Sequence, residues 1–265
     1  MSNSGLIDIG VNLTNQRFEK DFDDVLARAQ AANVQSMLVT GTNVEESEAA
    51  LALSQKYPHI LASTAGVHPH DADNVDSDYL TVLKQLAAFP EVRAIGECGL
   101  DFNRNFSTPE NQQRVFKEQV ELAVELSMPL FLHQRDAFET WFNILSPFLS
   151  QVPAVVTHCF TGNEKELLQC LDAGMYVGIT GWLCDERRGQ ELRDIVKHIP
   201  LSRLMIETDA PYLTPRTIRP KPKSSRNEPA YLPYVVTALV ETTSYSESDI
   251  INASAENASK VFGFA

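Results

Sequence analysis

The chain has 265 residues, of which 43% are hydrophobic and 22% are charged, and its formal net charge at pH 7 is −13. This length suits one large domain or two small ones. No apolar run approaches the roughly 20 residues that cross a bilayer, so we expect no membrane-spanning segment. The acidic balance disfavours a broad surface for duplex DNA, because such surfaces are normally basic.

The cysteines indicate a reducing compartment. Cys98, Cys159, Cys170 and Cys184 are scattered without CxxC spacing, which predicts free thiols and neither a disulfide framework nor a structural zinc site. The N-terminal segment MSNSGLIDIG has no basic region followed by an apolar stretch, so no secretory signal is predicted. We therefore expect a cytoplasmic protein, and we expect it to be a monomer.

Apolar, β-branched runs alternate with helical patterns along the chain. One helix is expected to begin at STPENQ, where Thr108 can cap it and Pro109 suits the first helical position. Strands are predicted near residues 6–12, 35–40, 60–66, 92–97, 129–133, 154–158, 175–180 and 203–208. Further helices are predicted at 18–29, 45–56, 78–89, 136–149, 163–173, 187–198, 230–243 and 247–262.

Eight strands that alternate with helices predict an α/β fold, a (β/α)8 TIM barrel. A doubly wound open sheet is the alternative, but it should carry a Gly-rich phosphate turn after its first strand. The stretch DIGVNLTN, residues 8–15, does not match GxGxxG. No linker or break in composition divides the chain, so one domain is expected over 1–265.

Polar residues cluster at the predicted carboxyl ends of the strands, where a barrel of this kind carries its function. The motifs are GVHPHD (66–71), GECGLDF (96–102), FLHQRD (131–136), VTHCFTG (156–162) and IETDAPYL (206–213). Glu97, His133, His158 and Asp209 would then converge from four strands. Carboxylates and imidazoles without a thiolate suit a divalent Mg, Mn or Zn ion, so these four residues are the predicted metal site.

A hydrolytic role follows from this ligand set, since open positions remain for water and substrate. Glu97 and Asp209 are the candidate catalytic carboxylates, and Asp209 would orient the water or accept its proton. His68 would contact an anionic group or protonate a leaving oxygen. His70 has the alternative of an exposed position in a tight turn.

Two arginines are candidates for binding phosphate. Arg135, two residues beyond His133, could bind it as a fork, with a salt bridge to a loop acid as the equal alternative. Arg219 belongs to the Pro-rich segment 214–229, in which five cations stand against Glu228 alone. The alternative for that segment is a solvated loop whose charges pair with acidic neighbours.

Together these motifs resemble the TatD family of metal-dependent hydrolases. The resemblance rests on GVHPH, AIGECGLDF, PLFLHQRDAFE, THCFTG and LMIETDAPYL followed by RNEP, and it spans the chain from DIGVNLT to the C-terminal helices. GECGLDFNRNFSTPE and ITGWLCDERRG look like the members that are 3′–5′ exonucleases on single-stranded DNA and RNA. The resemblance implies Mg²⁺-dependent release of mononucleotides from 3′ ends, with Glu97, His133 and His158 as ligands, and a role in DNA repair.

The first strand departs from the family pattern. Many members carry DxHxH there, whereas this chain has Gly10 and Asn12 in place of the two histidines. The Asn12 oxygen can contact a metal or its water, but a binuclear zinc site of the usual kind is not expected. Fewer imidazoles and more carboxylate, phosphate and water ligands favour Mg²⁺, with Mn²⁺ and Zn²⁺ as alternatives.

Two other hypotheses stay open on sequence alone. One is a metal-dependent hydrolase of small amides, lactones or phosphotriesters on the same barrel, and the absent histidine pair disfavours it. The other is a non-catalytic binding protein whose metal site has decayed. The joint presence of Glu97, His133, His158 and Asp209 disfavours that hypothesis.

Overall fold

The computed structural model describes residues 5–264, which fall into two compact units. Residues 39–158 form the central unit, and residues 5–38 with 159–264 form the terminal unit. The expected single domain over 1–265 stays a prediction, and its residues 1–4 and 265 lie outside the described part. Residues 1–4 also begin the segment in which no secretory signal was expected.

Residues 5–264 form eight strands that alternate with helices, and every strand pair described in detail is parallel. This is the element order of a (β/α)8 barrel, so the predicted fold class is confirmed. None of the helices within the described residues is long and apolar enough to cross a membrane.

The central unit holds four neighbouring strands. Its elements are α2 (Val44–Lys56), β3 (Leu61–Ala65), a 3-10 helix (Pro69–Asn74), α3 (Tyr79–Leu86), β4 (Val92–Asp101), α4 (Pro109–Leu126), β5 (Leu130–Arg135), α5 (Phe138–Leu145) and β6 (Val155–Thr157). The strands lie in the order β3-β4-β5-β6, and the pairing of β4 with β5 brings Gly99 opposite His133. The carboxyl ends of these strands are therefore neighbours.

The terminal unit holds the other strands. Its elements are β1 (Leu6–Val11), α1 (Phe22–Ala31), β2 (Val34–Val39, whose last residue belongs to the central unit), α6 (Glu164–Asp172), β7 (Tyr176–Ile179), α7 (Gln190–Ile195), β8 (Leu204–Ile206), α8 (Leu232–Thr242) and α9 (Glu247–Phe262). β7 pairs with β8, and Val11 forms a bridge with Ala210 just beyond β8. The end of β1 is thus fixed beside the segment that follows β8.

Local sequence explains where several helices begin. The Thr108 hydroxyl accepts from the backbone N–H of Asn111 and Pro109 is the first residue of α4, as the sequence predicted. Asn163 and Glu166 form a reciprocal capping box at the start of α6. These caps satisfy backbone N–H groups that the first turn of a helix leaves without partners.

Two glycines let β4 and β5 approach closely. A Cβ atom on Gly96 would lie 2.1 Å from the carbonyl oxygen of Phe131, and one on Gly99 would lie 1.8 Å from that of His133. Both glycines also have positive φ, +143° and +149°, which side chains rarely adopt. Glycine on each side of the Glu97–Cys98 pair is therefore required by the backbone of the neighbouring strand.

The main departures from the predicted boundaries concern two elements. β4 runs to Asp101, four residues beyond the predicted end, because its outer part pairs with β5 up to Arg135. Phe18 was expected on a helical face, but it ends a 3-10 helix before α1 begins at Phe22. The extension of β4 matters for the site, since it makes Asp101 a strand residue.

Candidate active site

Glu97 lies at the centre of a group of imidazoles in the central unit. Its Oε1 atom is 2.8 Å from Nε2 of His158, 3.0 Å from Nδ1 of His133 and 3.4 Å from Nε2 of His68. Glu97 and His158 are buried, and the other two are partly so. The structure thus brings together three of the four predicted metal ligands, with His68 beside them.

The hydrogen bonds of His68 fix its tautomer. Its Nδ1 accepts the backbone N–H of His70 at 3.1 Å, so a neutral ring carries its proton on Nε2, the atom that faces Glu97. Burial lowers the pKa of His68 to about 3 against the opposing charge of Glu97. Near neutral pH the ring is therefore uncharged and offers an N–H.

Asp101 is a second buried carboxylate of the site, and sequence reasoning missed it. Its Oδ2 lies 2.8 Å from Nε2 of His70, while Oδ1 accepts the backbone N–H groups of Asn103 and Arg104. His70 is consequently held by Asp101 in a 3-10 helix, with 31% of its side chain exposed. The alternative of a fully exposed turn position is wrong.

Opposing effects set the charges of the two carboxylates. Burial by itself would raise the pKa of Glu97, but the surrounding histidines, His158 foremost, hold it well below its ordinary value. Asp101 also has a pKa far below its ordinary value, because His133 and His70 outweigh the effect of burial. The pKa of His133 is raised, since both carboxylates outweigh burial there. The site is therefore strongly anionic at its carboxylates.

Two buried glutamines of α4 position the loops of this site. Gln119 accepts the backbone N–H of Val67 at 2.7 Å and donates to its carbonyl oxygen at 3.0 Å. Gln112 treats Asp101 in the same way, at 2.9 and 3.2 Å. Val67 precedes His68, so one helix fixes the backbone beside both polar groups.

The terminal unit carries the other predicted residues. Asp209 follows β8 with a positive φ of 55°, its backbone N–H donates to the Gly10 carbonyl oxygen, and its Oδ1 accepts from Nδ2 of Asn12 at 3.1 Å. Asn12 thus uses its amide nitrogen on Asp209, which leaves its oxygen as the atom that can meet a ligand. Gly10 and Asn12 both serve to hold Asp209.

A buried carboxyl lies beneath this pair. Asp8 accepts hydrogen bonds from the backbone N–H groups of Gly10 and Thr208 and from the Thr208 hydroxyl, at 2.5 to 3.3 Å. Its side chain is fully buried, and burial raises its pKa to about 7 in spite of these donors. Asp8 therefore fixes the segment before Asp209 and is removed from solvent.

The two predicted phosphate-binding arginines lie in different surroundings. Arg135 ends β5 in the central unit, and within residues 5–264 its guanidinium makes no hydrogen bond or ion pair. Arg219 is exposed in the terminal unit and donates only to backbone oxygens, those of Arg216 and Ile218. The salt-bridge alternative for Arg135 finds no support among the described residues.

The donor set around Glu97 fits a divalent cation. One ligand atom from each of His68, Glu97 and His133 lies within 4.8 Å of the others. The Nε2 atom of His133 is buried, has no hydrogen-bond partner among the described residues and is 3.5 Å from Asp101 Oδ2. An orphaned imidazole nitrogen between two carboxylates is what a metal-binding group leaves when the cation is removed.

Comparisons with known proteins agree with this site. A family model described as TatD related DNase matches residues 7–263. A protein of Pectobacterium atrosepticum named 3′-5′ ssDNA/RNA exonuclease TatD is 54% identical over 260 residues, which cover 98% of this chain and 100% of that protein.

Solved structures give the same result. The TatD family hydrolase of Entamoeba histolytica superposes with a TM-score of 0.90 at 27% identity, covering 100% of both chains. The Escherichia coli TatD homologue YJJV gives 0.88 at 27% identity, covering 97% of this chain and 98% of that one. The chain therefore belongs to the family of TatD related DNases.

Proposed function

We propose that this protein is a divalent-metal-dependent 3′–5′ exonuclease that hydrolyses phosphodiester bonds of single-stranded DNA and RNA and releases mononucleotides. The proposed metal is Mg²⁺, with Mn²⁺ and Zn²⁺ as alternatives, and the proposed cellular role is DNA repair. The observation that carries the proposal is the buried Glu97 carboxylate with three imidazoles around one oxygen, in a chain of the TatD related DNase family.

Glu97, His133 and His158 are proposed as metal ligands, together with Asp209. When bound, the metal lowers the pKa of a water molecule and offsets negative charge on the phosphodiester. Support from the central unit is the distance of at most 3.0 Å between Glu97 Oε1 and each of the two ring nitrogens. For Asp209, support comes from its place at the end of β8 and its fixed contact with Asn12.

The chain's own groups would orient substrate and move protons. The Nε2–H of His68 is suited to donate a hydrogen bond to a phosphate oxygen, since its neutral ring makes it a poor acid. Asp209 is proposed to orient the attacking water and accept its proton. Asn12, Arg135 and Arg219 are proposed to contact the phosphate, and the free guanidinium of Arg135 suits bidentate binding.

The hydrolase of small amides, lactones or phosphotriesters is not favoured. The relative that is 54% identical over nearly the whole chain is named for exonuclease activity on single strands. The substitution of the family's histidine pair by Gly10 and Asn12 also points away from a binuclear zinc site.

Location, assembly and domain organisation complete the proposal: a cytoplasmic, monomeric protein with one domain over 1–265. The four cysteines support the location, since Cys98, Cys159, Cys170 and Cys184 are all free thiols.

One assay tests the activity. Single-stranded oligonucleotides labelled at the 3′ or the 5′ end are incubated with protein and Mg²⁺ or EDTA. We expect mononucleotide release from the 3′ end only, none with EDTA, and none with Glu97→Ala. No cleavage of any single strand by protein supplied with Mg²⁺, Mn²⁺ or Zn²⁺ would refute the proposal.

A further inference from the structure

A concave surface in the terminal unit, separate from the metal-binding residues, encloses about 750 Å³. One wall comes from the segment after β1, and the other comes from the loop 214–229 and Tyr231. We call it the basic groove, and its charged and aromatic lining is Arg17, Lys20, Lys223, Arg226, Glu228 and Tyr231, with Glu19 as a further acid.

The cations of the groove divide into two kinds. Arg226 is bound by Asp21 at 2.6 and 2.8 Å and by Glu228 at 3.1 Å, and Arg28 joins the same network. These four charges compensate one another. They tie the loop 214–229 to α1 and form a rigid base for the groove.

Arg17, Lys20 and Lys223 are the cations that remain. All three are exposed, and within residues 5–264 none of them pairs with a carboxylate. Glu19 is the one lining acid outside the network, so the uncompensated charge of the groove is positive. In a chain of net charge −13, a concave surface of this sign indicates an anionic ligand.

The groove is joined to the candidate site through Pro211. The Arg17 guanidinium donates to the Pro211 carbonyl oxygen at 3.2 Å, two residues beyond Asp209. Asn15, two residues before Arg17, lies 3.4 Å from the hydroxyl of Tyr212. A polymer whose terminal phosphodiester is at Asp209 would therefore have its next nucleotides beside Arg17.

We propose that the basic groove binds the backbone phosphates of the nucleotides on the 5′ side of the scissile bond, through Lys20, Lys223 and Arg17. The ring of Tyr231 supplies a face on which one base stacks. This inference rests on the proposed function, because it takes a single-stranded nucleic acid as the occupant.

Binding measured without catalysis tests the groove. Fluorescence anisotropy in EDTA gives the Kd of a 5′-labelled decamer for the wild type, for Lys20→Ala/Lys223→Ala and for the control Lys197→Ala/Lys260→Ala. The control removes the same charge from exposed lysines of the terminal unit that lie outside the groove.

We expect the groove variant to weaken decamer binding about tenfold at low salt and to reduce the slope of log Kd against log salt by about 1. The control should match the wild type. Tyr231→Ala should weaken binding further, and Tyr231→Phe should not. Equal Kd and slope for the groove variant and the control would overturn the proposal, as would equally tight binding of a decaglutamate peptide by the wild type.

The two proposals fail separately. If the groove variant loses binding but the wild type releases no nucleotide with any metal, the groove stands as a single-strand site and the exonuclease proposal is wrong. If the wild type degrades 3′ ends and the groove variant binds like the control, the activity stands and the groove does not contribute.

Discussion

Nε2 of His158 lies 2.8 Å from Oε1 of Glu97, and both side chains are at least 95% buried. Such a pair, taken out of water, is stable only because each group offsets the desolvation of the other. The carboxylate keeps its charge by this contact, and that charge is what a divalent cation needs. Replacement of either residue should therefore alter charge and metal binding together.

Glu97→Gln should remove metal binding while it keeps the size of the side chain. We expect kcat to fall at least about 100-fold, because the neutral amide cannot compensate a cation. Isothermal titration with Mn²⁺ should show loss of the site. The matched control is Glu256→Gln, an exposed residue of α9, which should bind Mn²⁺ like the wild type. Unaltered Mn²⁺ affinity in Glu97→Gln would place the metal elsewhere.

Asp8 predicts a fall in stability as the pH rises. Its pKa in the folded protein is about 7, against 3.8 ordinarily, so the folded state holds a proton that the unfolded state has lost between these values. The free energy of unfolding should drop by about 1.4 kcal/mol for each pH unit in this window.

Urea unfolding at pH 4.5 to 8 measures this dependence, and Asp8→Asn should flatten it. Groups with lowered pKa, such as Glu97 and Asp101, act in the opposite direction and only below their unfolded values, in more acidic solution. A wild type whose stability is constant from pH 4.5 to 7 would contradict the prediction.

Gly99→Ala should disturb β5 at His133. The new Cβ would lie 1.8 Å from the His133 carbonyl oxygen, so the strands must separate, and we expect a loss of about 3 kcal/mol or more in the free energy of unfolding. Gly174→Ala is the control, since its φ is also positive at 76° but its nearest atom is 3.9 Å away. It should cost only about 1 kcal/mol. Equal losses for both variants would mean that φ alone requires glycine at position 99.

Gln119→Met should lower activity without contact with substrate. It keeps the volume of the side chain but leaves the N–H and C=O of Val67 unpaired in the interior, at a cost of about 2 kcal/mol. Because Val67 precedes His68, kcat should fall more than KM rises. Gln113→Met on the exposed face of α4 is the control. Full activity of Gln119→Met would show that the backbone at Val67 needs no such support.

Alternation of strands and helices sufficed to predict the fold class and the grouping of Glu97, His133 and His158. These residues stand at strand ends, where side-chain direction follows from a period of two. Asp101 was missed because β4 was taken to end at Glu97. The signal was present, since Asp101 follows Glu97 by four residues and an extended strand would place both on one face.

Gln112 and Gln119 were missed for a different reason. Glutamine in an amphipathic helix is ordinarily part of the solvated face. Their positions, however, share the helical spacing of Phe116 and Ala123, both buried, and so predict the buried face of α4. The partner of a buried amide is a backbone group remote in sequence, and helical periodicity carries no information about that group.

The amides of Gln112 and Gln119 have a mechanical consequence. Two loops that differ in length and composition take their positions from one rigid helix, because each is fixed by a donor and an acceptor of the same side chain. A thermal displacement of α4 carries the backbone at Val67 and Asp101 along together. The spacing between His68 and the Asp101–His70 pair is thus conserved during motions that would pull independent loops apart.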